Sequence, residues 1–261
     1  MNNLFDIACN FSSERFDKDL DLVIERAQQN GVNKFLLVSA SLTDFNKIYH
    51  IHKNNSDNSY FTIGVHPHHA NKVNNDEIKK MKEMIIEYNP SCVGETGLDF
   101  FRNISTPEEQ VYAFEEQIKL AIEFNKPLYL HQRDSHEDFI KIIKPYKNLL
   151  PKCVVHCFTG TQSELDDYLE LGFFIGLTGW ICDERRNVEL RKSIKNIPLD
   201  RLMIETDCPY LIPRNLENKP KNNRNEPSYL PHIAKEVADL INMEASKLSD
   251  ITFKNSINFF N

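Results

Sequence analysis

The sequence has few of the features that mark membrane-spanning or repetitive proteins. Only 8 of its 261 residues are glycine, and one is tryptophan. No apolar run approaches the roughly 18 residues that a membrane span requires. The N-terminal stretch MNNLFDIACN has no basic region ahead of an apolar one. We therefore expect no association with a membrane, and a protein that stays in the cytoplasm.

Paired cysteines and an excess of basic residues are missing as well. The six cysteines form no CxxC pair and mostly lie in apolar runs, so we interpret them as reduced packing residues. Cys153 and Cys157 have the strand parity opposite to that of His156, which predicts that they face outward. The formal net charge of −7 argues against broad, nonspecific adhesion to nucleic acid. A polyanionic substrate would need a local basic patch.

What the chain does contain is a regular alternation of two patterns. Eight short runs rich in Val, Ile, Leu and Phe are separated by stretches with the apolar spacing of helices. In residues 105–125, for example, Ser105 or Thr106 can cap a helix and Pro107 suits its first turn. Its apolar face would hold Val111, Phe114, Ile118 and Ile122. The eight runs are LFDIAC, KFLLVSA, YFTIGVH, SCVGETG, PLYLHQR, KCVVHCF, FFIGLTG and RLMIETD.

This alternation predicts an α/β protein with a parallel sheet that helices cover. Eight such units within about 200–250 residues are typical of a closed (β/α)8 TIM barrel, and a doubly wound open sheet is the alternative. No linker divides the chain, and the only loose stretch, residues 213–229, follows the eighth strand. We therefore expect a single domain over residues 1–261.

Polar residues collect at the carboxyl ends of the predicted strands, which meet at one mouth of a barrel. A period of two places Val93, Glu95 and Gly97 on one face of the fourth strand. Each residue alone has a structural interpretation, as a helix cap or a hydrogen-bonded histidine, but their convergence favours a metal site. A cation would explain how Glu95 is buried. The residues are Asp6, Asn10, His66, His68, Glu95, His131, His156, Glu205 and Asp207.

Several long motifs resemble those of the TatD family of metal-dependent nucleases, over nearly the whole chain. They are GVHPH (64–68), VGETGLDFFRN (93–103), STPEEQ (105–110), LHQRDSHEDF (130–139), VVHCFTGT (154–161), GLTGWICDERR (176–186), IETDCPYLIPR (204–214) and RNEPSYLPHI (224–233). The resemblance implies a barrel of the metallo-dependent hydrolase type. It also implies an exonuclease that removes nucleotides from the 3′ ends of single-stranded DNA or RNA with a divalent metal.

The resemblance also implies the site residues. The metal ligands of the family fall on Glu95, His131, His156 and Asp207, and His66 matches a histidine that contacts substrate phosphate or a second cation. Many members of the wider family begin with Asp-x-His-x-His, but Ala8 and Asn10 stand at the two histidine positions here. This pattern resembles a subgroup without that pair. It shifts the expectation from tight zinc to one or two exchangeable Mg²⁺ or Mn²⁺ ions per subunit.

Phosphodiester hydrolysis suggests roles for these residues. The substrate needs a cation on its oxygens, an activated water and support for the leaving group. Glu95 would bridge two metals, and Asp207 would also take the proton of the attacking water. Arg102 and Arg133 can grip phosphate oxygens, and Glu205 can orient a ligand. The segment after the eighth strand adds basic residues that we expect to bind the backbone of single-stranded nucleic acid near the active site: Lys219, Lys221 and Arg224. We expect the enzyme to be a monomer.

Two other functions remain open. Related barrels hydrolyse C–N and ester bonds, so the alternative is an amidohydrolase or an esterase-type hydrolase such as an aminoacyl-tRNA deacylase. Binuclear amidohydrolases place a carbamylated lysine on the fourth strand, where this chain has Glu95. A scaffold role in twin-arginine translocation, which the family name suggests, would not need metal-type residues at one mouth and ranks last.

Overall fold

The computed structural model describes residues 3–185 and 187–261 of the chain. In those residues eight strands form one parallel sheet in the order β1 to β8. All eight strands fall on the predicted apolar runs. They are β1 (Leu4–Cys9), β2 (Val32–Leu37), β3 (Ser59–Ile63), β4 (Cys92–Asp99), β5 (Leu128–Arg133), β6 (Cys153–Val155), β7 (Phe174–Leu177) and β8 (Leu202–Ile204).

Helices alternate with these strands, as the spacing of apolar residues predicted. They are α1 (Leu20–Gln29), α2 (Phe45–Asn54), α3 (Asn75–Tyr88), α4 (Pro107–Phe124), α5 (His136–Ile143), α6 (Gln162–Glu170), α7 (Val188–Ser193), α8 (Leu230–Leu240) and α9 (Ala245–Phe260). Helix α4 begins as expected, because Thr106 caps it in a capping box with Glu109 and Pro107 occupies its first turn. Its residues Phe114 and Ile118 are fully buried.

The sheet closes on itself at the seam between β1 and β8. Cys9 forms a parallel bridge with Cys208, and the Asn10 amide donates to the Cys208 carbonyl at 3.0 Å. The (β/α)8 barrel predicted from the sequence is therefore confirmed, and the open sheet is not observed. Within the described residues, none of the helices combines the length and the hydrophobicity that crossing a membrane would require.

Two apolar clusters lie on opposite faces of the sheet. Side chains from opposite strands can touch only inside the barrel, where Phe5 of β1, Cys92 of β4 and Tyr129 of β5 share one cluster with Phe259 and Phe260 of α9. The larger cluster lies between the sheet and the outer helices. This arrangement gives a packed barrel interior rather than a pore.

One prediction about strand parity was wrong. Val93 packs in the outer cluster whereas its neighbour Cys92 packs inside, so Val93 does not share the inner face with Glu95. The ladder between β4 and β5 is irregular between Val93 and Thr96. This irregularity shifts the inward-facing set by one residue, because side chains alternate along a regular strand.

Candidate active site

A cavity of about 600 Å³ opens at the carboxyl ends of the strands. This is the end of a TIM barrel at which active sites lie. Its lining includes nine of the residues predicted from the sequence, supplied by β4 and β5 and by the connections that follow β1, β3, β4, β6 and β8. They are Asn10, His66, His68, Glu95, Arg102, His131, Arg133, His156 and Asp207.

The carboxylate of Glu95 lies at the centre of this group. Its Oε1 atom is 2.7 Å from His156 Nε2, 2.9 Å from His131 Nδ1 and 3.3 Å from His66 Nε2. Four separate parts of the barrel thus direct one carboxylate oxygen and three imidazole nitrogens at the same point. The burial of Glu95, which was unusual for an acid in the sequence, is explained by these partners.

The pKa values reflect this crowding. Burial opposes the charged form of Glu95, but the imidazoles of His156 and His66 outweigh it and hold the pKa of Glu95 well below its usual range. Burial likewise disfavours the charged forms of His156 and His131, yet the carboxylates around them raise the pKa of both imidazoles. For His66 burial dominates and lowers the pKa to about 4.

Asp99, which the sequence analysis did not select, lies beside this group at the end of β4. Its Oδ2 atom is 2.8 Å from His68 Nε2 and 3.6 Å from His131 Nε2. Although Asp99 is buried, these two histidines lower the pKa of its carboxyl. A signal was present in the sequence, because Asp99 follows Glu95 by four residues and so lies on the same face of the strand.

Glu205 lies below His156 and is fully buried. Its Oε2 atom accepts a hydrogen bond from the Tyr129 hydroxyl at 3.1 Å and is 3.6 Å from His156 Nδ1. Its Oε1 atom accepts from the backbone amide of Cys157. Glu205 is therefore placed to orient the His156 ring while its own charge is held by two other donors.

Asp207 follows β8 and faces the same cavity. Burial is the main cause that raises the pKa of its carboxyl to about 7; His156 opposes the shift, whereas the charges of Glu95 and Glu205 add to it. The side-chain amide of Asn10 donates to Asp207 Oδ1 at 2.9 Å. Asn10, at the second of the two positions without histidine, thus holds a predicted ligand, whereas Ala8 packs in the barrel interior.

Close contact between backbones brings β4 and β5 together at this point. Gly97 has a φ of +141°, and a Cβ atom there would lie 1.9 Å from the carbonyl oxygen of His131. Gly94 has a φ of +147°, and its Cβ would lie 2.4 Å from the Tyr129 carbonyl oxygen. Only glycine allows both the backbone conformation and the approach. These two residues therefore set the distance between Glu95 and His131.

Arg102 and Arg133 lie at the rim of the cavity, as predicted, and both side chains are exposed. The Arg133 guanidinium stacks over the Phe101 ring at 3.9 Å from its centroid. The backbone amide of Arg102 donates to Asp99 Oδ1 at 2.8 Å. The two cations are thus fixed on the β4 and β5 side of the mouth.

The structure corrects the prediction for Arg224. Its side chain is buried, with 7% exposure, and its guanidinium donates to Asp19 and to Glu226 at 2.6 to 2.7 Å. It also lies over the Phe16 ring. Arg224 is therefore a structural residue that fastens the segment after β8 to α1 and is not free to hold a nucleic acid.

The two lysines of that segment are exposed. Lys219 and Lys221 lie at the surface, and the described residues that line the cavity do not include them. Their side chains are therefore accessible to a substrate that extends beyond the cavity lining.

Cys157 differs from its prediction as well. All six cysteines are free thiols, and five are buried, but Cys157 is partly exposed and lines the cavity. Strand β6 ends at Val155, and Cys157 has a φ of +48°, so the alternation of a strand no longer applies there. The expectation that Cys157 faces the outer helices was therefore wrong, whereas Cys153 packs in the outer cluster.

The donor set at the centre fits a divalent metal. The ligand atoms of His66, Glu95 and His131 lie within 4.8 Å of one another, and His156 Nε2 is in contact with the same Glu95 oxygen. His131 Nε2 and His156 Nδ1 are buried with no hydrogen bond. Imidazole and carboxylate groups that converge in this way are typical metal ligands.

Comparison with known proteins gives consistent matches. Residues 5–261 match the family model described as TatD related DNase. A protein named 3′-5′ ssDNA/RNA exonuclease TatD from a Rahnella species is 46% identical over 257 residues, covering 98% of each chain. The protein of that name from Edwardsiella piscicida is 42% identical over 257 residues, covering 98% of this chain and 99% of its own.

A solved structure shows the same likeness in three dimensions. The TatD family hydrolase from Entamoeba histolytica superposes with a TM-score of 0.89 at 28% identity, over 99% of this chain and 98% of its own. The family match spans nearly all of the sequence, and the barrel with its cavity agrees with it. The chain therefore belongs to the family of TatD-related DNases.

Proposed function

We propose that this protein hydrolyses phosphodiester bonds and releases nucleotides from the 3′ ends of single-stranded DNA or RNA. The observation that carries the proposal is the contact of one Glu95 oxygen with three imidazoles in a cavity rimmed by two arginines. Relatives that are 42% and 46% identical over nearly their whole length carry the name of such an exonuclease.

The residues that would hold a divalent cation are Glu95, His131, His156 and Asp207. We propose Mg²⁺ or Mn²⁺, in one or two sites per subunit, because Ala8 and Asn10 offer no imidazole that would tighten the site for zinc. When bound, the cation supplies positive charge to the phosphodiester oxygens and makes an attacking water more acidic.

Protein side chains would perform the remaining steps. Asp207 is placed to accept the proton of the attacking water, since it faces the cavity and Asn10 occupies only its Oδ1 atom. His66 Nδ1 accepts from the His68 amide at 3.0 Å, so a neutral His66 carries its proton on Nε2, the atom that faces Glu95 Oε1 at 3.3 Å. With substrate bound, this N–H would be shared with a phosphate oxygen. Glu205 would keep the His156 ring in place.

Two sets of basic residues would bind the substrate backbone, one next to the scissile bond and one farther away. Arg102 and Arg133 at the rim would bind the phosphates next to the scissile bond, because a guanidinium can donate two parallel hydrogen bonds to phosphate. Lys219 and Lys221 would attract the strand farther away. The single domain, the monomeric state and the cytoplasmic location stay predictions from the sequence.

The test is digestion of end-labelled oligonucleotides in a series of divalent cations. A single strand labelled at its 5′ end should shorten one nucleotide at a time. A phosphorothioate at the last linkage of the 3′ end should stall the reaction, whereas the same linkage at the 5′ end should not.

Other substrates keep the proposal falsifiable. An aminoacyl ester and a cyclic amide should react far more slowly than DNA in the same cation series. Faster turnover of either one, or loss of the 5′ label in the first product, would overturn the proposal.

A further inference from the structure

The rim of the cavity is chemically uneven. Arginines stand on the β4 and β5 side, whereas the connections after β7 and β8 present the uncharged side chains of Trp180, Tyr210 and Leu211 to the cavity. Tyr210 is 54% exposed although it lines a cavity that contains buried carboxylates. An exposed aromatic side chain that faces such a cavity is available to contact a ligand.

The position of Tyr210 relative to the reactive centre is fixed. Its backbone amide donates to the carbonyl of Asp207 at 2.9 Å, so the ring begins one tight turn after a proposed ligand. The backbone of the β8 connection is held in turn, because the Pro209 carbonyl accepts from Asn225 at 3.1 Å and from Arg15 at 3.0 Å. The ring therefore projects from a rigid support.

Trp180 is brought alongside by close packing of two connections. A Cβ atom at Gly179 would lie 2.4 Å from the Leu211 carbonyl oxygen, so the segment after β7 touches the segment after β8. The Trp180 amide donates to Thr178 Oγ1 at 3.2 Å, which holds the first turn of that segment. The two aromatic residues and Leu211 thus line the same side of the cavity, and we call them together the aromatic wall.

An apolar residue faces the aromatic wall across the mouth. Ile104, on the connection after β4, lines the cavity and is 61% exposed. Strands four positions apart lie on opposite sides of an eight-strand ring, so Ile104 lies opposite Tyr210. Its connection is anchored, because the neighbouring Ser105 carbonyl accepts from Gln110 at 2.8 Å. An apolar group bound at the mouth would therefore have apolar side chains on both sides.

We propose that the aromatic wall stacks against the base of the 3′-terminal nucleotide while the arginines on the other side hold the phosphates. This inference rests on the proposed function and names the part of the substrate that this site selects. Stacking tolerates every base, since each has a π-face. A paired terminal base cannot leave its partner without a cost, so the wall would favour single strands over duplex ends.

The test combines a protein variant with a substrate that lacks one base. Tyr210→Ala should lower kcat/KM on a single strand by between about 5-fold and 100-fold, the range that loss of one stacking contact gives. The effect should appear mainly in KM. An abasic site at the 3′-terminal nucleotide should cost the wild-type protein a similar factor. The same abasic strand should react with Tyr210→Ala within about 2-fold of its rate with wild type.

Matched variants separate the ring from its surroundings. Tyr210→Phe should behave as wild type, and Tyr210→Leu, which keeps apolar volume without a ring, should lose most of the effect. Tyr112→Ala removes an exposed tyrosine from helix α4, outside the cavity lining, and should change nothing. Thermal melting would show that all variants are folded.

The outcomes distinguish this inference from the proposed function. Full activity of Tyr210→Ala, or an equal loss on the abasic and the complete strand, would overturn the stacking role and leave the nuclease intact. No digestion of any strand by the wild-type protein would overturn the proposed function itself.

Discussion

The two ends of the barrel interior show how one set of strands serves two purposes. At the end opposite the cavity, which we call the floor, Phe5, Phe259 and Phe260 pack together. The ring centroid of Phe260 is 5.5 Å from that of Phe5 and 4.8 Å from that of Phe259. At the mouth, the same sheet presents carboxylates and imidazoles to the cavity. The floor holds apolar area away from water, whereas the mouth concentrates groups that are costly to bury.

Along a strand, the change from apolar to polar lining takes place between two successive inward-facing residues. On β5, Tyr129 belongs to the apolar interior and His131, two residues later, contacts Glu95. The Tyr129 hydroxyl donates to Glu205, so a residue of the apolar interior also fixes a carboxylate next to the active site. The comparison predicts that changes at the floor act on stability and changes at the mouth act on catalysis.

Removal of divalent cations should have the largest effect, abolishing activity and leaving the fold intact. Because the proposed ligands lie at the mouth and the apolar clusters hold the barrel together, circular dichroism should be nearly unchanged after dialysis, and millimolar Mg²⁺ or Mn²⁺ should restore the activity. Stoichiometric zinc retained through dialysis would contradict this expectation.

The same experiment has a pH dependence with a defined sign. Carboxylates raise the pKa of His131 and His156, and a cation must displace the protons of these imidazoles. The apparent affinity for Mn²⁺ should therefore fall as the pH is lowered through those raised pKa values. An affinity that rises on acidification would be inconsistent with these ligands.

Phe259→Ala should lower the stability of the protein without changing its catalysis. Loss of this buried ring should cost about 3–5 kcal/mol in the free energy of unfolding, measured by urea denaturation. At temperatures where the variant is folded, KM and kcat should stay near wild-type values. A large rise in KM with unchanged stability would show that the two ends are not separable.

Glu95→Ala should give the opposite result. Nuclease activity should fall at least ~100-fold, about 2.7 kcal/mol in the activation barrier, because three imidazoles lose their common partner. Glu83→Gln, on the exposed face of α3, is the matched control and should be neutral. Near-normal rates for Glu95→Ala with metal present would exclude the assignment of Glu95.

The smallest effect is expected outside both regions, in the segment after β8. Replacement of Lys219 and Lys221 by Gln should raise KM a few-fold and lower the salt slope of binding by up to about 1.4, since each single-strand phosphate contact contributes about 0.7. A minimal phosphodiester should react as before. Unchanged salt dependence would show that the strand is held elsewhere.

Arg224→Gln provides the contrast within the same segment. It should lower stability rather than change the salt slope, because Arg224 is ion-paired with Asp19 and Glu226. A reduced salt slope with unchanged stability would restore Arg224 to the substrate-binding set.

Much of this arrangement could be predicted from the sequence, because periodicity is a local property. The eight apolar runs specify the strands, and a strand end in a barrel specifies the mouth, so Glu95, His131 and His156 could be grouped in advance. Asp99 carried the same signal. Its pairing with His68 and His131 was missed because its role depends on two other strands.

The remaining errors have a common cause in contacts that one sequence does not encode visibly. The partner of Arg224 is Asp19, 205 residues away, so a buried ion pair looked like an exposed charge run. Cys157 adopts a left-handed conformation, and the irregular ladder beside Val93 shifts the parity there. The last two are local departures from the regular strand on which the predictions relied, whereas the first is a contact between distant parts of the chain.

The contact between Gly97 and the His131 carbonyl limits which substitutions this protein can tolerate. A methyl group at that position would need the space of a backbone oxygen, so even alanine would force β4 and β5 apart although the glycine performs no chemistry. The same holds at Gly94. Tolerance to substitution at the mouth is therefore set by backbone spacing as well as by reactivity, and a saturation mutagenesis map would mark these glycines alongside the ligands they separate.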